Sequence, residues 1–160
     1  MVFPPFFNSD GEAAHAYIAC GKIALNWGPV ELMIESILIK LRAIHKAAVT
    51  EPMPLPFGRK VTAIKDLIKL DPAHAGLADM LRPLLGKAKE LHMVRTDVVH
   101  SLCQGTDIGG VLVFGKSEHK RGVAYTEVRY TVNEIERAAD EMRQLRAEMS
   151  DIFSALRTLP

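Results

Sequence analysis

The stretch VELMIESILIKL, residues 30–41, is apolar at too many helical phases to be a one-sided surface helix. Val30, Ile34, Ile37, Leu41 and Ile44 make one stripe at a spacing of three and four. Leu32, Met33, Leu38 and Ile39 widen it well beyond one face, and a helix apolar on most sides is buried on most sides. In a chain of 160 residues, long enough for one domain with a single core, the second covered face points to a second copy of the chain. Glu31, Glu35 and Lys40 interrupt the run, so it is too short and too charged to span a bilayer.

The rest of the chain supports a helix-rich interior. Apolar residues make up 48% of the sequence and aromatic residues only 6%, so the core is aliphatic. Ser9 and Glu12 form a capping box that opens a first helix running to about residue 47, with a kink or break expected at Gly28-Pro29. TEPMPLPFG, residues 50–58, is a proline-rich loop. A helix is expected over about 59–70, and another from an Asp71-Pro72 start towards His100, with Pro83 kinking or splitting it. The pattern then changes. VLVF (111–114) and VAYTEVRYT (123–131) read as a β-hairpin with KSEHKRG at its tip. Thr131 and Glu134 form a second capping box that opens a long last helix. The expected fold is an all-α, up-and-down bundle in one domain, 1–160, with a hairpin inserted at about 111–131.

Charge and cysteine usage narrow the function. Lys+Arg is 20 and Asp+Glu is 19, so no global field attracts nucleic acid, and any such site is a local patch. Cys20 and Cys103 lie in no CxxC or Cys/His cluster, which argues against a zinc site; no metal and no cofactor are expected. A reduced, cytoplasmic setting is the simplest reading of two scattered cysteines. The segment MVFPPFFNSDGE lacks the basic and apolar regions of a signal peptide.

RTDVVHS, residues 95–101, carries the most chemistry. Histidine titrates near neutrality and moves protons, and an arginine fork neutralises a phosphoryl group. On a continuous helix Arg95 and His100 stand roughly 140° apart, so convergence needs a helix end near His100 or a two-fold partner with its own pair. The plain alternative is a helix-end pair, with His100 favouring the negative end of the dipole and Arg95 bridging Asp97, Glu90 or Glu31. Glu31, in its apolar helix, either orients that pair or sits in a structural salt bridge. Thr96, Asp97 and Ser101 either tune the site or hydrogen-bond at the helix end. Lys116, His119, Lys120 and Arg121 form a basic hairpin tip, which either steers a phosphate backbone or is simply solvated. His92, eight residues before His100, is a weaker candidate for the same face.

NWGPVELMIESIL, then PLPFGRKVTAIKDL, then a long helix ending in VRTDVVHS, resembles the HEPN superfamily over roughly residues 15–104. The hallmark of that superfamily is R-x(4–6)-H with a polar residue after the arginine. Arg95 and His100 match with Thr96 in the polar position, whereas the commoner Asn or Asp is displaced to Asp97. The resemblance implies a dimeric helical bundle. It implies a metal-independent endoribonuclease of toxin or defence type, with Arg95 and His100 catalytic, RNA as substrate and an antitoxin as partner. Silent family members make the alternative a dimeric interaction or ligand-binding module with a structural Arg/His pair.

Overall fold

The computed structural model describes residues 9–46, 55–70, 75–107, 109–118 and 124–158. Four helices and three strands follow in the order α1 (Asp10–Ile44), α2 (Phe57–Leu67), α3 (Ala75–His100), β1 (Leu102–Thr106), β2 (Val111–Glu118), β3 (Ala124–Thr131) and α4 (Val132–Arg157). The Asp71-Pro72 helix start and most of the tip KSEHKRG lie outside the described residues.

Both expected N-caps form. The Glu12 amide donates to Ser9 Oγ at 3.2 Å at the start of α1. At α4 the exchange is reciprocal: the Glu134 amide donates to Thr131 Oγ1 at 3.1 Å, and the Thr131 amide donates to Glu134 Oε2 at 2.8 Å. The break expected at Pro29 does not occur, and α1 continues through it. Proline removes one rung of the ladder, but Trp27 and Val30 on either side are buried, and tertiary packing holds the remaining turns. Pro83 likewise lies inside an unbroken α3.

The sheet departs most from expectation. A hairpin inserted in an all-α fold was anticipated; the structure is mostly helical with a three-stranded antiparallel sheet, in the order β1-β2-β3. The additional strand, LCQGT, follows α3 after the single residue Ser101. Its register on β2 jumps between Cys103 and Gly105, leaving Gln104 as a bulge. Gly105 takes φ 103°, a conformation that side chains other than glycine rarely adopt. β2 and β3 pair without a shift from Val111↔Thr131 to Glu118↔Ala124.

Contacts group the chain into two compact units. One takes the described residues of 1–27 and 91–142. Its core joins Ala16, Ala19, Ile23 and Trp27 of α1, Leu91 and Val98 of α3, Leu112 and Phe114 of β2, and Ile135, Ala139 and Met142 of α4. Lys22 of α1 pairs with Glu136 of α4, and the Asn26 amide donates to the Ala139 carbonyl. The other unit takes the described residues of 28–90 and 143–160. There Ile34, Ile37, Leu38 and Leu41 of α1, Val61 and Ile64 of α2, Leu81 and Leu85 of α3, and Met149, Ile152 and Leu156 of α4 are buried. Lys60 of α2 is buried in this second unit and donates to Glu35 Oε2 at 2.7 Å and Glu31 Oε1 at 3.2 Å of α1. Burial alone would lower the Lys60 pKa; the two carboxylates outweigh it and raise the value.

Candidate functional site

Helix α3 ends at His100, one residue before the sheet begins, and the chemistry-bearing residues gather at that end. Side chains two apart on a helix point nearly opposite ways, so Asp97 and Arg95 diverge. Asp97 is buried, at 8% exposure, while His100 is exposed.

The buried side comes first in the folding logic. Alternation along β2 puts Leu112, Phe114 and Lys116 on one face, and Tyr130 joins them through its pairing with Leu112. Phe114 and Tyr130 meet edge to face, with ring centroids 6.2 Å apart. Asp97 comes onto this face. Its Oδ2 accepts the Tyr130 hydroxyl at 2.9 Å, and its Oδ1 accepts Lys116 Nζ at 3.2 Å. A carboxylate out of water requires such partners, and here two strands provide them. Burial first, and then the hydrogen bond and charge of Asp97, push the Tyr130 hydroxyl up to about 12. Asp97 therefore ties the last turns of α3 to the sheet.

On the open side, Arg95 Nη1 and His100 Nε2 are in hydrogen-bond contact. Of the two routes to convergence, the helix end is the one seen within this chain: α3 stops at His100, and the long arginine stem spans the remaining arc. Guanidinium nitrogens only donate, so His100 Nε2 is the acceptor of this contact. The arrangement places an imidazole and a guanidinium side by side in reach of solvent.

The remaining candidate residues are distributed differently. Thr96 is half-buried within α3, and Ser101 is the half-buried junction to β1. Glu31 accepts from Lys60, in the unit that holds 28–90. Lys116 is at Asp97 in strand β2, which extends to Glu118; His119, Lys120 and Arg121 lie outside the described residues. His92 stacks at a tilt on Trp27, with centroids 5.2 Å apart. Tyr130 is the residue that sequence reasoning missed. Its only signal was its place as an aromatic in an alternating strand, and its partner Asp97 is 33 residues away.

On the opposite face of the sheet, Arg129 donates to Asp107 at 2.7 Å. The ring of Tyr125 lies over Gly115, where an added Cβ would press on the phenol and stand 2.7 Å from the Gln104 amide nitrogen. Among the described residues, no group of three or more His, Cys, Asp or Glu side chains stands together as metal ligands. None of the described helices is long and apolar enough to cross a membrane. No family model, no curated protein and no solved structure matches this chain.

Proposed function

We propose that the end of α3 is the active site of a metal-independent endoribonuclease of HEPN type, with His100 as general acid/base and Arg95 as phosphate clamp. One observation carries the reading: Arg95 and His100 touch each other on an exposed helix end of a single chain. A phosphodiester entering there displaces the Arg95–His100 contact, and the guanidinium turns its donors to the non-bridging oxygens. The freed Nε2 takes the proton of the 2′-hydroxyl as that oxygen attacks phosphorus and the P–O5′ bond breaks, with water protonating the leaving 5′ oxygen; alternatively a protonated imidazole delivers a proton to the leaving 5′ oxygen while water takes that of the 2′-hydroxyl. The products are a 2′,3′-cyclic phosphate and a free 5′-hydroxyl. Asp97 stays on the sheet, where it holds the helix end in place. The reading includes a cytoplasmic homodimer that presents two such pairs, RNA as substrate, and an antitoxin as partner if the role is a toxin.

The test is RNA cleavage in EDTA by the wild type, His100→Ala and Arg95→Ala, with circular dichroism as a control for folding. General acid–base catalysis contributes roughly 10²–10⁴-fold, so each variant should lose at least about 100-fold. Equal cleavage by all three proteins would refute the assignment. A second reading rests on the same contact: Arg95 and His100 satisfy each other, as in a silent interaction module or a nucleotide or small-ligand sensor. Absence of cleavage by the wild type across a panel of structured and single-stranded RNAs would favour that reading.

A further inference from the structure

Neither the core nor the Arg95/His100 pair accounts for the solvent-facing side of α1. Ile18 is 55% exposed, Leu25 78%, Leu32 66% and Ile39 53%. They recur every seven residues, so each lies only about 20° from the last around the helix. Within the same arc stand Ala14, Gly21, Gly28, Pro29, Ser36 and Ala43; Lys22 and Lys40 lie along one border of it, and Asp10, at the start of the helix, lies on the other. A solvated helix face carries polar residues, and a strip of this kind marks a docking surface.

The glycines sharpen the point. Nothing lies within 4 Å of where a Cβ would be at Gly21 or Gly28. No intrachain contact requires their missing side chains, although glycine is the poorest helix former after proline. Small residues on an outer helix face permit another backbone to come close.

The strip also reads alike from both ends. About the Gly28-Pro29 bond, Leu25 mirrors Leu32, Gly21 mirrors Ser36, Ile18 mirrors Ile39, and Ala14 mirrors Ala43. That is what a two-fold interface needs, since residue i of one copy meets residue j of the other and j meets i. We propose that α1 is the self-association surface of this protein, packing antiparallel on α1 of a second copy. Leu25 then lies against Leu32 of the second copy, Ile18 lies against its Ile39, and Gly28-Pro29 sits on the two-fold axis. The opposed helix dipoles favour this direction over a parallel pair. The four aliphatic side chains with Tyr17, 67% exposed, offer roughly 600 Å² per chain, near the ~800 Å² per partner of a standard interface.

The interface names the contact for the dimer in the functional reading, and its test is independent of RNA cleavage. Sedimentation equilibrium of the wild type should give twice the 17.7 kDa chain mass. Leu25→Glu with Leu32→Glu should give the chain mass at the same concentration, with unchanged helical content. Gly28→Leu, at an open position, should do the same without adding charge. In a Cys20→Ser/Cys103→Ser background, a mixture of Leu25→Cys and Leu32→Cys proteins should oxidise to a mixed disulfide far faster than either alone. A wild type that stays monomeric at ~100 µM overturns the proposal, and if that monomer binds lipid vesicles through Leu25, the strip belongs to a membrane surface instead. A dimer that survives the Leu25→Glu/Leu32→Glu change, or one in which Leu25→Cys alone cross-links best, also overturns it. If His100→Ala abolishes cleavage but the wild type is a monomer, only the interface fails.

Discussion

Replacing Tyr130 by Phe removes one hydroxyl and leaves the ring in place against Phe114. The lost interaction is a 2.9 Å hydrogen bond to the buried carboxylate of Asp97. A hydrogen bond to a charged acceptor contributes about 1.5–3 kcal/mol, and Asp97 keeps its bond to Lys116 afterwards. Lys116 is 37% exposed and screened by solvent, so it contributes under ~1 kcal/mol and does not replace the tyrosine. Tyr130→Phe should therefore cost about 2 kcal/mol in urea unfolding, with an unchanged m-value. In a chain of this size that corresponds to a Tm lower by about 5 °C. Asp97→Asn should cost a similar amount, and the double variant less than the sum, with a coupling of at least ~1 kcal/mol. The pH dependence has a definite sign. The Tyr130 pKa is raised in the fold to about 12 from 10.0, so its proton is held more tightly when folded. Its stabilisation is complete below pH 10, falls as pH rises from 10 towards 12, and is gone above that. The stability difference between wild type and Tyr130→Phe should therefore shrink through that window. A coupling below ~0.5 kcal/mol, or a difference that grows with alkalinity, would refute the claim that Asp97 anchors α3 to the sheet.

Thr131→Ala removes the hydroxyl half of the α4 capping box and should cost about 1 kcal/mol, while Thr131→Ser keeps it. The backbone and hydroxyl of Thr131 hold the Glu134 carboxyl below its ordinary value, so that contribution is present above the normal carboxylate range and fades as pH falls through the depressed one. The cost of Thr131→Ala, measured by thermal unfolding, should diminish in acid. Lys60→Ala leaves Glu31 and Glu35 without the lysine and opens a gap beside α2, for a loss of roughly 2–3 kcal/mol; Lys60→Met keeps the stem's packing and should lose less. Burial, with Cys103 adding to it, pushes the Cys20 thiol up to about 11, so mass spectrometry should find it slow to alkylate at pH 8 and faster as pH nears 11.

Local signals in the sequence were the legible ones. Thr131 and Glu134 are three apart, and their reciprocal bonds follow from that spacing alone. The apolar period of α1 and the alternation in β3 are equally local. Pro29 misleads because its cost is local, whereas the burial of Trp27 and Val30 that offsets it is tertiary. LCQGT escaped notice because the bulge at Gln104 breaks the two-residue period, and Leu102, its largest side chain, faces solvent. The candidate site divides in the same way. Arg95 and His100 stand out by spacing, but the part played by Asp97 depends on Lys116 and Tyr130, 19 and 33 residues away, which no short motif encodes.

Ser101 alone separates the last helical residue of α3 from the first residue of β1. A junction of one residue has no slack, so the helix end and the edge strand share their motions. The strands and the end of α3 are then expected to open and reclose as one cooperative segment. The backbone that presents Arg95 and His100 is then held for as long as the β1–β2 ladder is closed. Amide exchange at Cys103 and Phe114 then reports how often the helix end that carries the pair comes loose from the sheet.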